Sequence, residues 1–157
     1  MMFSRIIFTL LPLLVSAAVT PHPSPIVGTI TAPTAGSAIT PGDTTPFNYQ
    51  TSDWCHQGYT EFKVSLVSYK PTFDNVTDAD GTLRDSLHEF GTFTVANFHL
   101  PPQGIPPPEF LTIPDLTALV DDTELFLAVS DIFLGCPGHI PEAIGVTSVS
   151  VLYSPSV

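Results

Sequence analysis

Residues 59–69 read YTEFKVSLVSY, the clearest alternation of apolar and polar side chains in this 157-residue chain. The apolar positions Phe62, Val64 and Leu66 share one side, while charged or hydroxyl side chains occupy the other. A period of two over this length predicts a β-strand with one apolar face packed on a core.

Further strand-like segments recur along the chain, bounded by Pro, Gly, Asp or Asn. They lie at residues 26–31, 44–51, 89–100, 109–113, 123–133 and 143–153. In residues 89–100, the alternation predicts Phe93 and Val95 on one face and Phe90 and Phe98 on the other. Residues 123–133 (TELFLAVSDIF) are apolar almost throughout, which is typical of a strand buried on both faces.

The prolines set the fold class together with these strands. There are 17 of them spread along the chain, and each interior proline costs a helix about 3 kcal/mol. We therefore predict an all-β fold, a single immunoglobulin-like or fibronectin-like antiparallel β-sandwich of about seven strands. A small β-barrel is the alternative. The domain would span residues 26–157, after a proline-rich lead at residues 19–25.

The charge balance excludes two classes of protein. Fifteen acidic side chains stand against four basic ones, a net charge of -11, so the chain cannot neutralise the phosphates of a nucleic acid. Only 12% of residues are charged and 43% are hydrophobic, which is unlike a disordered acidic tail. A compact, acidic domain remains.

Residues 1–18 have the features of a secretory signal peptide. Arg5 precedes an apolar run at residues 6–15, and small residues follow at 16–18. This run is shorter than the roughly 20 residues that span a bilayer, and no second apolar run of that length follows. We expect cleavage after Ala18 and a secreted, extracellular protein with no membrane span.

The two cysteines, Cys55 and Cys136, suit an oxidising compartment, where an even count favours a disulfide over two free thiols. Each lies in a connection between predicted strands, and in a sandwich these two connections emerge at the same end. We call the end that carries Cys55 and Cys136 the disulfide end.

The disulfide end also holds the candidate binding residues, Trp54, His56, Tyr59 and His139. Aromatic side chains on a fixed loop bind well because they lose little conformational entropy on contact. The alternative is that Trp54 closes the end of the core and both histidines are solvated.

Motifs for catalysis or metal binding are missing from the sequence. It contains no G-x-S-x-G, H-x-x-x-H or C-x-x-C, and its Asp-rich stretch at residues 74–81 does not match an EF-hand loop. We expect no catalytic residues, metal or cofactor. A small carbohydrate-active hydrolase stays open, because two of the acids, with Asp53 and Asp131 nearest the disulfide end, could converge in the fold. Asn75 begins the sequon Asn-Val-Thr and is the predicted N-glycosylation site.

Two segments carry a resemblance to a known family. Residues 30–42 (ITAPTAGSAITPG) and 126–131 (FLAVSD) resemble the first immunoglobulin-like domain of small fungal cell-wall proteins, which are Ser/Thr-rich, secreted or GPI-anchored, and linked to β-1,6-glucan assembly. The resemblance covers about a third of the chain and implies a secreted, wall-associated sandwich without catalytic residues. This chain departs from that family in having no tryptophan in the strand after Gly42, no Ser/Thr-rich stalk and no anchor signal.

Together these observations predict a secreted, non-enzymatic β-sandwich associated with a cell wall or extracellular matrix. It would bind a glycan, a wall polymer or an extracellular protein through the loops of the disulfide end. The hydrolase stays as one alternative, and an effector-like or structural protein without a small ligand is the other.

Overall fold

The computed structural model describes residues 21–52, 55–117, 119–136, 138 and 141–155. These residues form ten strands and one short 3-10 turn, and they contain no α-helix. The elements are β1 (His22–Pro23), β2 (Thr29–Ala32), β3 (Ser37–Ile39), β4 (Thr44–Pro46), β5 (Asn48–Gln50), β6 (Tyr59–Val67), the turn Phe73–Asn75, β7 (His88–Ala96), β8 (Phe110–Thr112), β9 (Thr123–Phe133) and β10 (Ala143–Tyr153).

The main sheet has the strand order β1-β10-β9-β6-β7, and β3 also pairs with β10. Its four long strands are antiparallel, as predicted, and β9 and β10 pair in register along their full lengths. The short strands β1 and β3 run parallel to β10. The segment expected as a proline-rich lead thus contributes β1 to the sheet.

The second layer consists of two short pairs, β2 with β5 and β4 with β8. Phe47, Tyr49 and Leu111 from this layer pack on the main sheet and form one buried core with Phe62, Val64, Phe93, Leu127 and Val129. The main sheet does not close on itself, since its outer strands pair with each other nowhere in the described residues. The all-β sandwich is therefore confirmed.

The other face of the main sheet is covered by residues 70–87, which we call the acidic loop. Leu83 of this loop packs against Val67 and Ala128. The Lys63 ammonium, on the polar side of β6, is buried under it and donates to Asp80 Oδ2 at 2.8 Å and Thr82 Oγ1 at 2.6 Å. The bond from Lys63 to Asp80, with the bonds that Thr82 donates to Asp80 Oδ1, holds the pKa of Asp80 below its usual range. Strands β6 and β9 are thus buried on both faces, which confirms the prediction for residues 123–133.

One predicted facing is wrong. Phe90 packs against the same core as Phe93, although simple alternation places them on opposite faces. The register of β6 on β7 shifts between Val64 and Ser65, and Gly91 there has a φ of 130°. This β-bulge adds a residue to β7 and turns Phe90 back to the core.

Candidate functional site

The disulfide end is closed by the predicted disulfide, Cys55–Cys136. Its two Cα atoms lie 5.2 Å apart although the residues are 81 positions apart in sequence. Cys55 is buried and packs with Phe133 at the end of β9 and Ala143 at the start of β10. The connection before β6 and the connection after β9 are therefore held together, on top of the core.

Gln57 ties the same two connections by hydrogen bonds. Its side chain is buried, and Nε2 donates to the Ile132 carbonyl at 3.2 Å and to Thr60 Oγ1 at 3.3 Å. Its Oε1 accepts from the Gly135 amide at 3.3 Å. A buried polar group needs such partners. Sequence reasoning missed Gln57, because glutamine is mostly exposed in proteins and carries no signal of burial.

A third segment, residues 97–101, is fastened to the disulfide end from β7. Asn97 Nδ2 donates to the Gln57 carbonyl at 2.8 Å and to Thr60 Oγ1 at 3.0 Å. The Asn97 amide donates to the Gly58 carbonyl at 2.9 Å. These bonds fix the residue immediately before Phe98.

Backbone strain is concentrated beside Phe98. His56, Phe98 and His99 have φ values of 53°, 54° and 57°, in the left-handed region that disfavours side chains with a Cβ. A bulky residue such as phenylalanine rarely adopts this conformation. The Phe98 side chain is nevertheless 55% exposed, and its ring centroid lies 6.2 Å from that of His56. The backbone thus presents an aromatic ring to solvent.

The predicted binding residues lie at the disulfide end where the structure describes them. His56 is exposed beside Phe98, and Tyr59 is half-buried with its hydroxyl donating to the Pro101 carbonyl at 3.2 Å. Trp54 and His139 lie outside the described residues. Phe98 was assigned to a strand face by its sequence spacing, so its role at this end was missed.

A small groove of about 140 Å³ opens on this end beside β6. Its lining combines polar and apolar side chains: Gln57, Tyr59, Glu61, Ile132, Leu134 and Gly135. Leu134 is 46% exposed at its rim. Among the described residues that line this groove, Glu61 supplies the single carboxylate, whereas glycoside hydrolysis requires a pair.

Asp131, one of the two acids considered for a hydrolase, lies inside the core instead of on this surface. It is fully buried, and its Oδ2 accepts hydrogen bonds from the Tyr49 hydroxyl at 2.5 Å and the Gly28 amide at 3.0 Å. Among the described residues, Asp131 Oδ1 is the buried side-chain atom that lacks a hydrogen-bond partner. Burial raises the pKa of Asp131, whereas the hydrogen bonds from Tyr49 and Gly28 lower it. Burial has the larger effect, and the resulting pKa is about 6. The other acid, Asp53, lies outside the described residues.

Asn75, the predicted glycosylation site, ends the 3-10 turn of the acidic loop and is partly exposed. Its Oδ1 accepts from the Thr72 amide at 2.8 Å and from Thr72 Oγ1 at 3.2 Å. This loop lies on the sheet face opposite to the second layer.

A second cavity, of about 360 Å³, lies in the second layer. We call it the proline notch and define it by its lining residues, Phe47, Asn48, Tyr49, Pro107, Pro108 and Glu109. It has no counterpart among the sequence predictions, because the residues that form it are more than 50 positions apart.

In the part of the chain that the structure describes, no group of three His, Cys, Asp or Glu side chains is arranged to hold a metal ion. The same residues include no helix long and apolar enough to cross a membrane. Comparison with protein-family models, with curated proteins and with solved structures found no match to this chain.

Proposed function

We propose that this protein is a secreted, non-enzymatic binding module whose disulfide end contacts a neutral polysaccharide of a cell wall or extracellular matrix. The observation that carries the proposal is the exposed ring of Phe98, held in a left-handed backbone conformation beside the disulfide. A non-glycine residue held in such a conformation costs on the order of 1–3 kcal/mol, and such strain persists where surrounding contacts impose it, often at binding sites.

The fixed backbone makes the Phe98 ring a favourable contact group. Binding a flexible side chain costs about 0.5–1.5 kcal/mol in lost rotamer freedom, and a ring on a braced loop avoids much of the accompanying backbone cost. The apolar C–H faces of a sugar ring suit an aromatic surface, and Glu61 in the neighbouring groove can accept bonds from its hydroxyls. The Phe98 ring and the groove residue Glu61 thus provide the two kinds of contact that a sugar needs.

The charge of the chain favours a neutral polymer. At a net charge of -11, the protein repels anionic polymers such as polyuronates and nucleic acids. Secretion, which the proposal requires, is supported by the signal-like residues 1–18 and by the intramolecular disulfide, since disulfides persist in oxidising compartments. The resemblance to fungal wall proteins agrees with this class of ligand.

An extracellular protein partner is the second candidate. Leu100 and Leu134 are 39% and 46% exposed at the same end as Phe98, and exposed apolar side chains of this kind are found at the centre of protein interfaces. Such a partner would cover all three side chains. Of these three, a sugar ring would contact Phe98 and leave both leucines exposed.

Sedimentation with insoluble neutral polysaccharides tests the proposal, using β-glucan, chitin and cellulose as separate probes. We expect the protein to bind at least one of them and Phe98→Ala to bind at least about fivefold more weakly, because truncating an aromatic anchor costs more than about 1 kcal/mol. Phe110→Ala is the matched control, because Phe110 is 54% exposed on β8, away from the disulfide end. Trp54→Ala tests the residue that the sequence analysis named at this end.

Two outcomes would contradict the proposal. The first is that the protein stays in the supernatant with every polysaccharide. The second is that Phe98→Ala and Phe110→Ala bind as the unmodified protein does. Loss of sedimentation with Phe110→Ala alone would place the contact on the second layer instead.

A further inference from the structure

The proline notch is a gap in the second layer where a strand is missing. β4 pairs with β8, and the Phe47 amide continues that ladder by donating to the Glu109 carbonyl at 2.8 Å. The next residues on the β8 side are Pro108 and Pro107, which have no amide hydrogen to donate. The ladder therefore stops there, and the chain continues from β4 into β5, which pairs with β2 on its other side.

This arrangement leaves backbone groups of Tyr49 directed into the notch. In a strand, the N–H and C=O of successive residues point to alternate edges. The Phe47 amide points to the β8 side, whereas the Asn48 carbonyl points to the β2 side, where it accepts from Thr31 Oγ1 at 3.3 Å. The Tyr49 N–H and C=O therefore face the β8 side again. In the described residues, Pro107 and Pro108 line that side of the notch, and no strand there pairs with Tyr49.

The Tyr49 N–H and C=O lie side by side on the strand edge, and another extended backbone is the partner that can pair with both. Strand addition of this kind is an established mode of peptide recognition, in which main-chain bonds give the affinity. The notch volume of about 360 Å³ lies within the range of about 300–1,000 Å³ for ligand sites. Exposed Asn48 and Glu109 stand at its rim, where alternate side chains of an added strand would lie.

The charges of the second layer indicate which charge a bound peptide would carry. Glu109 is exposed at the rim, whereas Asp43 and Asp115 are exposed at the far end of the β4–β8 pair, beyond Thr44 and Thr112. Among the described residues, Lys63, Lys70 and Arg84 are the basic side chains, and they belong to none of the second-layer strands. Lys63 lies on the opposite face of the main sheet, under the acidic loop. The rim of the notch therefore carries the Glu109 carboxylate, and the described second-layer strands hold no cation, which favours a basic segment.

We propose that the proline notch binds an extended, basic peptide segment of a partner protein, which adds as a strand to the free edge of β5. This site is separate from the Phe98 surface and makes no use of it. The two proposals therefore stand or fall independently.

The test is a titration of the isotope-labelled protein, followed by the backbone amide signals of Asn48, Tyr49 and Gln50. The probe is a hexapeptide of alternating lysine and valine. Its controls are the same peptide with glutamate in place of lysine and the same peptide with N-methylated backbone amides. We expect the basic peptide to shift the Tyr49 signal and both controls to leave it unchanged.

Charge reversal at the rim provides the matched pair of protein variants. Glu109→Lys is expected to bind the basic peptide about tenfold more weakly, because an attraction on the scale of a surface ion pair becomes a repulsion. Glu124→Lys is the control, since Glu124 is an exposed acid at the start of β9 in the main sheet. It makes the same change in net charge and should bind as the unmodified protein does.

Several results would overturn the proposal. Equal binding of the N-methylated peptide would show attraction by charge without strand addition. Shifts at Tyr49 with a neutral oligosaccharide but none with the basic peptide would identify the notch as a sugar site. Shifts that change on dilution of the protein alone would identify the occupant as a second copy of this chain.

Discussion

The buried Asp131 carboxyl predicts that the protein is more stable in acid than at neutral pH. Its pKa is raised from 3.8 to about 6 in the folded protein, so the folded state binds a proton more tightly than the unfolded state does. The stabilisation is complete below about pH 4 and is lost as the pH rises through about 6. This is the opposite of the usual behaviour of a carboxylate in an ion pair.

The magnitude follows from the two pKa values. Each pKa unit corresponds to about 1.4 kcal/mol, so the rise from 3.8 to about 6 corresponds to about 3 kcal/mol in total. About 2 kcal/mol of this is lost between pH 4 and pH 7, because the unfolded carboxyl is already about half ionised at pH 4. The Tyr49 hydroxyl moderates the loss, because burial raises its own pKa and keeps it protonated as a donor to the carboxylate. Asp80 acts in the other direction, since its pKa is lowered, but its side chain is 63% exposed and its contribution is small.

The measurement is urea unfolding followed by circular dichroism at pH 4, 5, 6 and 7. Asp131→Asn is the matched variant, because it keeps the shape of the side chain and removes the titrating group. We expect the free energy of unfolding of the unmodified protein to fall by about 2 kcal/mol relative to that variant across this range. Tyr49→Phe should steepen the fall, because the charged carboxylate then loses its hydroxyl donor.

The reasoning is refuted if the unmodified protein and Asp131→Asn change in parallel from pH 4 to pH 7. It is also refuted if the unmodified protein gains stability relative to the variant between pH 5 and pH 7. The first result would mean that Asp131 is as acidic in the folded protein as in the unfolded chain, and the second that it is more acidic in the folded protein.

Two further predictions concern the disulfide and the sequon. Replacing both Cys55 and Cys136 by alanine should lower the free energy of unfolding by about 4 kcal/mol, the chain-entropy value for a closure of this length; an unchanged urea midpoint would contradict it. Asn75→Gln and Thr77→Ala should each abolish a mobility shift on endoglycosidase treatment of protein secreted from a eukaryotic host, whereas Thr77→Ser should retain it. The absence of any shift in the unmodified protein would show that Asn75 carries no glycan.

Much of the fold was predictable because its long strands carry their own signal. Residues 123–133 and 143–153 were predicted as strands at the bounds that β9 and β10 have in the structure. The alternation of residues 59–69 likewise marks β6. Long β-strands leave such patterns because every second side chain enters the same environment over many residues.

The parts that could not be predicted depend on contacts between distant segments. The strand β1 is two residues long and forms by pairing with β10, so it is too short for a local sequence pattern to predict it. The bulge at Gly91 turns Phe90 to the core, so the regular alternation of this segment predicts the wrong face for it. The candidate site shows the same limit. The cysteines located the disulfide end, but Phe98 and Gln57 reach it through backbone turns and long-range hydrogen bonds.

The strained backbone at the disulfide end is tolerated because two independent braces act beneath it. The disulfide joins the connection before β6 to the connection after β9, and Gln57 repeats that tie by hydrogen bonds. Asn97 ties the segment that carries Phe98 to Gln57 and Gly58. A phenylalanine with a positive φ would move to a negative φ if only one contact held it, because most other backbone conformations are lower in energy. Several ties nevertheless hold it with its ring exposed, and this restraint is the reason why we propose Phe98 as the centre of the binding surface.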